Sequence, residues 1–439
     1  MSYSARKFSV GGGDDAWVVE FTGGITSSDV IPKMVDADDN SYWLFQGGSV
    51  IKMTPDGNVD TAIGWSVSLV PFGSGIDTIG GYVSNNQSYF AHAEGGTPGA
   101  GTGFDSSLTA TVQGAECNSI NNILTEVYQM ANGDVWQSAP ISASTTYTWY
   151  RYIAGNTNPQ ERQYRVFSPA SVDWRHTNET STGDWLFSGS NGAPNGDRGY
   201  ISRNTKTAGA AAVWGRSLTS DVPEGAPNQP YSFARRIMED PSDSTQIYIC
   251  GGNNWAAQNP GGDVDGFDVQ AHLVRLNAST GATELGYQYT TTNQFVYFKA
   301  MVMDSNGDSY VLFNNSSSNI FGVVKINTSL STNWTIEWER SFGAAGPQVN
   351  EIALSPDEEH FYLGSVVDCI LKLPVDGEFI GTYGPITITA STILTREALQ
   401  LGNVSSNSAI VLESDISRDQ KTVSGSASTI TPTTSKTGV

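Results

Sequence analysis

The sequence predicts an all-β fold, a seven-bladed β-propeller of four-stranded antiparallel blades. Three observations carry this expectation. The stretch from Phe295 to Gly343 holds four runs rich in β-branched and aromatic residues, separated by Asn, Asp, Gly and Ser. Such side chains fit a pleated, half-buried surface, so each run reads as a strand. Comparable units start near residues 33, 78, 124, 170, 233, 296 and 349, a spacing that suits four strands per repeat. A sustained helical period is missing, except for a weak one from Ile393 to Leu401.

The elements follow in order. Residues 1–32 form an N-terminal segment with one strand, Ala16 to Phe21. Residues 33–384 carry the repeats. The first has Ser41-Tyr-Trp-Leu-Phe45 and Ser49-Val-Ile-Lys-Met53, with a turn at Pro55-Asp-Gly57. The second has Ser88-Tyr-Phe-Ala-His92, the third Glu126-Val-Tyr-Gln-Met130, and the fourth Gly183-Asp-Trp-Leu-Phe187. The fifth has Gln246-Ile-Tyr-Ile-Cys250 and His272-Leu-Val-Arg-Leu276. In the sixth, Asn306-Gly307 reads as a two-residue type I′ hairpin turn, which needs positive φ at both positions. The seventh has His360-Phe-Tyr-Leu-Gly364 and Cys369-Ile-Leu-Lys-Leu373. Residues 385–439 form a Ser/Thr-rich extension, an extended C-terminal arm whose residues 386 to 394 could add a strand to a neighbour's sheet edge.

Composition narrows the function. Formal net charge is −21, from 44 acidic and 23 basic residues. That opposes nucleic-acid binding, which needs clustered Lys and Arg, and docking on anionic membranes. No apolar run is long enough to insert in a bilayer. The N-terminus lacks the apolar core of a signal peptide, so synthesis in a host cytoplasm without export is expected. Cys117, Cys250 and Cys369 are far apart and odd in number, so free thiols are expected rather than a disulfide framework.

Within the units, the second strand carries an aromatic (Tyr42, Trp136, Trp185, Tyr248, Tyr310, Tyr362). The third often carries a basic residue between apolar ones (Lys52, Arg275, Lys325, Lys372). These degenerate repeats resemble those of seven-bladed propellers of the kelch-like and quinoprotein-like type. The quinoprotein pattern Ala-x-Asp-x-x-Thr-Gly-x-x-x-Trp is echoed once, at Asn277-Ala-Ser-Thr-Gly281. In composition and style the chain is similar to tail-associated structural proteins of tailed bacteriophages. That resemblance implies a non-enzymatic virion protein with a scaffold role. Its partners would be other virion proteins and copies of itself, reached through the C-terminal arm. The alternative is a lectin-like propeller that binds a receptor or host-surface glycan.

Catalytic patterns are not recognisable. The four histidines, His92, His176, His272 and His360, fall in different units without zinc spacing. There is no Gly-x-Ser-x-Gly, no phosphate-binding loop and no His-Glu-x-x-His. No cofactor is expected, with calcium as the one candidate ligand. Asp263, Asp265 and Asp268 place three carboxylates within six residues, the kind of compact oxygen set calcium takes. Asp304-Ser-Asn306-Gly-Asp308 has related spacing but reads as a hairpin turn. Trp65 and Trp255 lie outside the regular strand positions and are the candidates for stacking on a sugar.

Overall fold

The structure, a computed structural model, describes residues 4–10, 16–22, 30–35, 38–45, 49–65, 81–84, 87–92, 100–105, 111–116, 126–129, 135–140, 146–152, 159–166, 172–191, 198–205, 212–220, 231–255, 268–291, 296–315, 320–343, 351–364, 369–399, 401–405, 411–414 and 425–427. Among these residues there is no helix, and the strands form seven antiparallel sheets. Six sheets begin with four strands taken consecutively from the chain. The first runs through Val30–Val35, Ser41–Phe45, Ser49–Met53 and Val59–Trp65. The sixth runs through Val296–Met303, Ser309–Asn315, Ile320–Ile326 and Ile336–Gly343.

The first strands of successive sheets touch in a closed cycle. Val30–Val35 meets Gly81–Ser84, followed by Glu126–Gln129, Val172–Glu179, Tyr231–Glu239, Val296–Met303 and Ile352–Leu354, which returns to Val30–Val35. Sheets in such a cycle bury both faces, and alternate side chains of one strand must then serve two cores. In the sixth sheet, Tyr310 and Leu312 join the cluster of Phe361, Leu363 and Cys369 of the seventh. Val311 and Phe313 join the cluster of Tyr248, Cys250 and Leu273 of the fifth. This double burial explains why Tyr310-Val-Leu-Phe313 is apolar without alternation.

The seventh sheet takes only three strands from its own stretch: Ile352–Leu354, His360–Gly364 and Cys369–Pro374. Its fourth is Trp17–Thr22, with Trp17 opposite Lys372 and Glu20 opposite Cys369. Its fifth is Ser4–Ser9. The N-terminal segment therefore completes the last sheet.

The C-terminal arm pairs with the sheets of its own chain. Ile386–Ala390 pairs with the fourth strand of the chain's own sixth sheet, Phe342 opposite Ile388, rather than with a neighbouring chain. The arm then passes the sheets in reverse order. Thr395–Ala398 pairs with the fifth sheet, Leu401–Ser405 with the fourth, Val411–Ser414 with the third and Gly425–Ala427 with the first. The weak helical period over Ile393 to Leu401 is also overturned, because residues 395–398 and 401 onward are strands. Edge pairing supplies their backbone hydrogen bonds and overrides the local pattern.

One buried carboxylate pins the arm where it crosses from the sixth sheet to the fifth. Glu339, 3% exposed, accepts hydrogen bonds from Ser391 Oγ at 2.5 Å and from the Ile393 and Leu394 amides at 3.1 Å each. Its own carbonyl accepts from the Ser391 amide. Beyond the crossing, the Arg396 guanidinium lies 4.5 Å from the Tyr287 ring centroid.

Neighbouring sheets are riveted by a repeated contact. A tryptophan of one fourth strand packs under a glycine in the turn after the third strand of the next sheet. The pairs are Trp17 with Gly57, Trp214 with Gly281 and Trp338 with Gly377. At Gly281, φ is +67° and an added Cβ would lie 2.6 Å from the Trp214 ring, so no other residue fits. Trp214 Nε1 also donates to Ala278 O at 2.8 Å, and Trp17 Nε1 donates to Pro55 O at 2.9 Å.

The turn at Asn306-Gly307 is not type I′. Gly307 has φ +85°, but Asn306 is not among the residues of positive φ. Gly307 N donates to Asp304 O, and Asp304 N to Asp308 O. The Asp304 carboxylate accepts from the Asn306 and Asp308 amides at 3.0 and 2.9 Å. This side-chain capping favours a turn with one left-handed glycine at its end.

Glu339→Ala should loosen the arm by removing a charged acceptor from buried donors, at a cost of about 3 kcal/mol. Urea unfolding should show the loss, and limited proteolysis should cut after residue 390 faster than in the wild type. An unchanged digestion pattern would remove Glu339 from this role.

Candidate functional site

The residues singled out from sequence do not gather at one place. Asp263 and Asp265 lie outside the described residues. Asp268 opens the third strand of the fifth sheet, Asp268–Asn277, opposite Trp255. Trp65 ends the fourth strand of the first sheet, opposite Gly425 of the arm. The four histidines occupy four sheets. Cys250 and Cys369 are buried free thiols, and burial pushes the Cys250 thiol up to about 12, which makes it unreactive. Cys117 lies outside the described residues.

His272 is fully buried, and burial lowers its pKa to about 3. Its imidazole is therefore neutral in the folded chain and cannot serve as an acid near neutral pH. His360 lies with Asp357 and Glu359 in a group whose ligand-type atoms are all within 4.8 Å of one another. Asp357 Oδ1 already accepts from Ser355 Oγ at 2.5 Å and from the Glu359 amide at 3.0 Å. The Ser355 hydroxyl leads in holding this carboxyl below the usual range. The group shapes the turn between the first two strands of the seventh sheet.

The basic residues of the third strands have structural partners. In register, Tyr42 faces Lys52, Tyr248 faces Arg275, Tyr310 faces Lys325 and Tyr362 faces Lys372. The lysine ammoniums lie 5.6 to 5.9 Å from their tyrosine rings. Lys372 reaches across to Asp39 of the first sheet at 2.5 Å, and Tyr362 Oη donates to Asp39 O at 3.2 Å. For the three lysines the sequence pattern of an aromatic followed by a basic residue is thus a cross-strand cation–π pair, whereas the Arg275 guanidinium lies 5.9 Å from the Trp334 ring centroid.

Three first strands carry a basic residue where the pairing slips. In the fourth, fifth and sixth sheets the register of first on second strand slips by one residue, at Arg175, Arg235 and Lys299. The next residues, His176, Arg236 and Ala300, then oppose Ser188, Cys250 and Leu312. His176 Nδ1 accepts from the Ile237 amide of the adjacent first strand at 3.3 Å. The Arg236 guanidinium pairs with Glu351, which directly precedes the first strand of the seventh sheet. Two steps of the cycle separate these partners, so the ion pair spans the sixth sheet's first strand. Both side chains are 9% exposed. Sequence reasoning missed these bulges and the Arg236–Glu351 pair, because a bulge is invisible until strand register is known. The basic residues themselves were the available signal.

A scan of protein-family models returned no match to this chain, and a search of curated proteins returned none either.

Two outcomes follow for stability. Replacing one partner of the Arg236–Glu351 pair strands a buried charge, so Arg236→Met or Glu351→Leu should each cost about 3–5 kcal/mol in urea unfolding. The double variant should lose less than either single change; a larger, additive loss would show that the two do not act as a pair. The second concerns pH. An unfolded histidine titrates near 6.5, whereas His272 in the folded chain takes a proton only near 3. Between these values the unfolded state binds the extra proton. Stability is therefore complete above 6.5 and falls as pH drops, by about 1.4 kcal/mol per unit from this residue. His272→Leu should flatten the slope of unfolding midpoint against pH between 6.5 and 4, and an unaltered slope would assign the dependence elsewhere.

Proposed function

We propose that the seven sheets are the blades of a β-propeller. On this reading the chain is a non-enzymatic structural component of a tailed-phage virion, tail-associated and acting as an assembly scaffold. The observation that carries the reading is the closure of strand edges by the chain's own termini. Fourth strands of the first, third, fourth, fifth and sixth sheets are each paired by an arm strand, and the seventh is completed from the N-terminus. The cycle of first-strand contacts and the four-strand meanders support the propeller arrangement.

An edge already paired is not open to strand addition by another chain. The arm would act within its own subunit, and assembly contacts would fall to the loop-bearing ends of the blades and to the strand edges left open, the second sheet's residues 111–116 among them. Charged groups of the interior are engaged in building the fold: Arg236 with Glu351, Lys372 with Asp39, and Arg203 with Asp184 at 2.8 Å. A body braced in this way suits a structural role. The virion setting is supported by the acidic composition, rich in Gly, Ser, Thr and Asn, and by the degenerate repeats.

Light scattering of the full chain and of residues 1–384 tests this reading. The full chain should form an assembly of defined mass. The truncated chain should expose five fourth-strand edges and scatter as polydisperse aggregate. A truncated chain with unchanged mass and unfolding midpoint would refute the capping role. A full chain that stays monomeric and binds polysaccharide would replace the scaffold by a receptor-binding propeller.

A further inference from the structure

We infer that the open edge of the second sheet is a docking site for residues 428–439 of a second copy of this chain. The inference rests on the scaffold reading above and names the contact that joins copies. Antiparallel strand addition closes the fourth strands of the first, third, fourth, fifth and sixth sheets, each with a strand of the arm. The seventh sheet's fourth strand, Trp17–Thr22, is closed by Ser4–Ser9. Among the described residues, only the second sheet ends on its own fourth strand, Thr111–Glu116. Its register slips at Val112, and residues 113–116 pair regularly with residues 100–103. That leaves four residues in regular pairing, the number of positions at which Thr395–Ala398 and Val411–Ser414 meet their sheets.

Charged residues, lysine above all, and proline guard an exposed edge against strand addition. Ser4–Ser9, outermost in the seventh sheet, carries Arg6 and Lys7, and Thr395–Ala398 in the fifth carries Arg396 and Glu397. Thr111–Glu116 has no lysine, arginine or proline, and Glu116 is its one charged residue. Such an edge is receptive to another strand. The occupant follows from the path of the arm. It moves round the cycle from the sixth sheet to the first without a described strand on the second, and the next sheet on that course is the seventh. There the fourth and fifth places are filled by the N-terminal strands, and Arg6 and Lys7 lie on the outermost. Residues 428–439, which lie outside the described residues, therefore meet a filled and basic edge ahead of them on their own chain. They read Ser-Thr-Ile-Thr-Pro-Thr-Thr-Ser-Lys-Thr-Gly-Val, rich in β-branched residues and with Lys436 as the one charged side chain. In a chain of net charge −21 this is a basic segment, complementary to an edge that ends in Glu116. One donor segment and one acceptor edge per copy make a head-to-tail contact, which gives a ring where the rotation closes and a filament where it does not.

The test is light scattering of the full chain as wild type, as Thr434→Pro, as Val112→Pro and as an equimolar mixture of the two variants. Thr434→Pro removes a backbone donor from the tail. Val112→Pro places proline at the bulge of the edge strand, where a sheet tolerates it and strand addition is blocked. The wild type should scatter as a multimer and each variant alone as a single copy. The mixture should form a two-copy species, since one partner keeps its edge and the other its tail. Thr434 lies beyond the last arm strand, so that variant should keep the wild-type unfolding midpoint. Should Val112→Pro fail to fold, a fluorescent peptide of residues 428–439 titrated into the Thr434→Pro chain takes its place. Saturable binding at one peptide per chain is expected, and no binding would overturn the docking. A mixture that stays at the mass of one copy would overturn it too. A Thr434→Pro chain that keeps the multimer mass would overturn the docking alone, because assembly would then persist through other contacts and the scaffold reading would stand. A monomeric wild type would overturn the scaffold reading and the docking with it.

Discussion

A β-sheet leaves a row of unsatisfied amides and carbonyls at each edge, and the rest of this structure depends on how those rows are closed. The first strands face one another in the cycle, while the fourth strands would otherwise end each sheet in solvent. Both chain termini are spent on the second problem. Trp17–Thr22 and Ser4–Ser9 extend the seventh sheet, and the arm adds one strand each to the sixth, fifth, fourth, third and first. Short spacers suffice for this lacing: residues 391–394 separate the first two arm strands that follow the hairpin, and 399–400 the next two. Glu339 fixes the first crossing by gathering a hydroxyl and two amides on one carboxylate.

Closing edges does not by itself hold one sheet against the next. That task falls to side chains that serve two sheets at once. Trp17, Trp214 and Trp338 each reach under a glycine turn of the following sheet. Between the fifth and sixth sheets the geometry is reversed. There Trp334, just before a fourth strand, packs on Tyr248 and Tyr287 of the preceding sheet at centroid distances of 5.6 and 5.7 Å. Tyr248 Oη adds a bond to Thr328 O at 3.1 Å. Aromatic rings suit this joint because they bury a large area and keep a polar tip for a backbone carbonyl.

These constraints bear on function through what they leave available. The fourth-strand edges of five sheets are paired by the arm, while the second sheet ends at its own fourth strand, residues 111–116. Register slips occur between first and second strands at Arg175, Arg235 and Lys299, and again between third and fourth strands of the first, fourth, fifth and sixth sheets.

Strand identity was legible in the sequence. Runs such as Tyr310-Val-Leu-Phe313 and Phe321-Gly-Val-Val-Lys-Ile326 are strands because their side chains suit a sheet buried on both faces, a local property. The alternation of an aromatic and a basic residue, Tyr310 with Lys325 or Tyr362 with Lys372, was visible as a pattern before its geometry was known. Register was not legible, and with it went the bulges, the Arg236–Glu351 pair and the type of turn at Gly307. A slip of one residue leaves composition untouched while moving every later side chain to the other face. The fate of the termini was equally hidden. Residues 386–390 pair with the sixth sheet and Trp17–Thr22 with the seventh because those edges are within reach in space. The sequence alone determined that this chain would make strands, since side-chain shape acts locally. Only the tertiary structure decided which edges they would close, because edge pairing depends on neighbours far away in the chain.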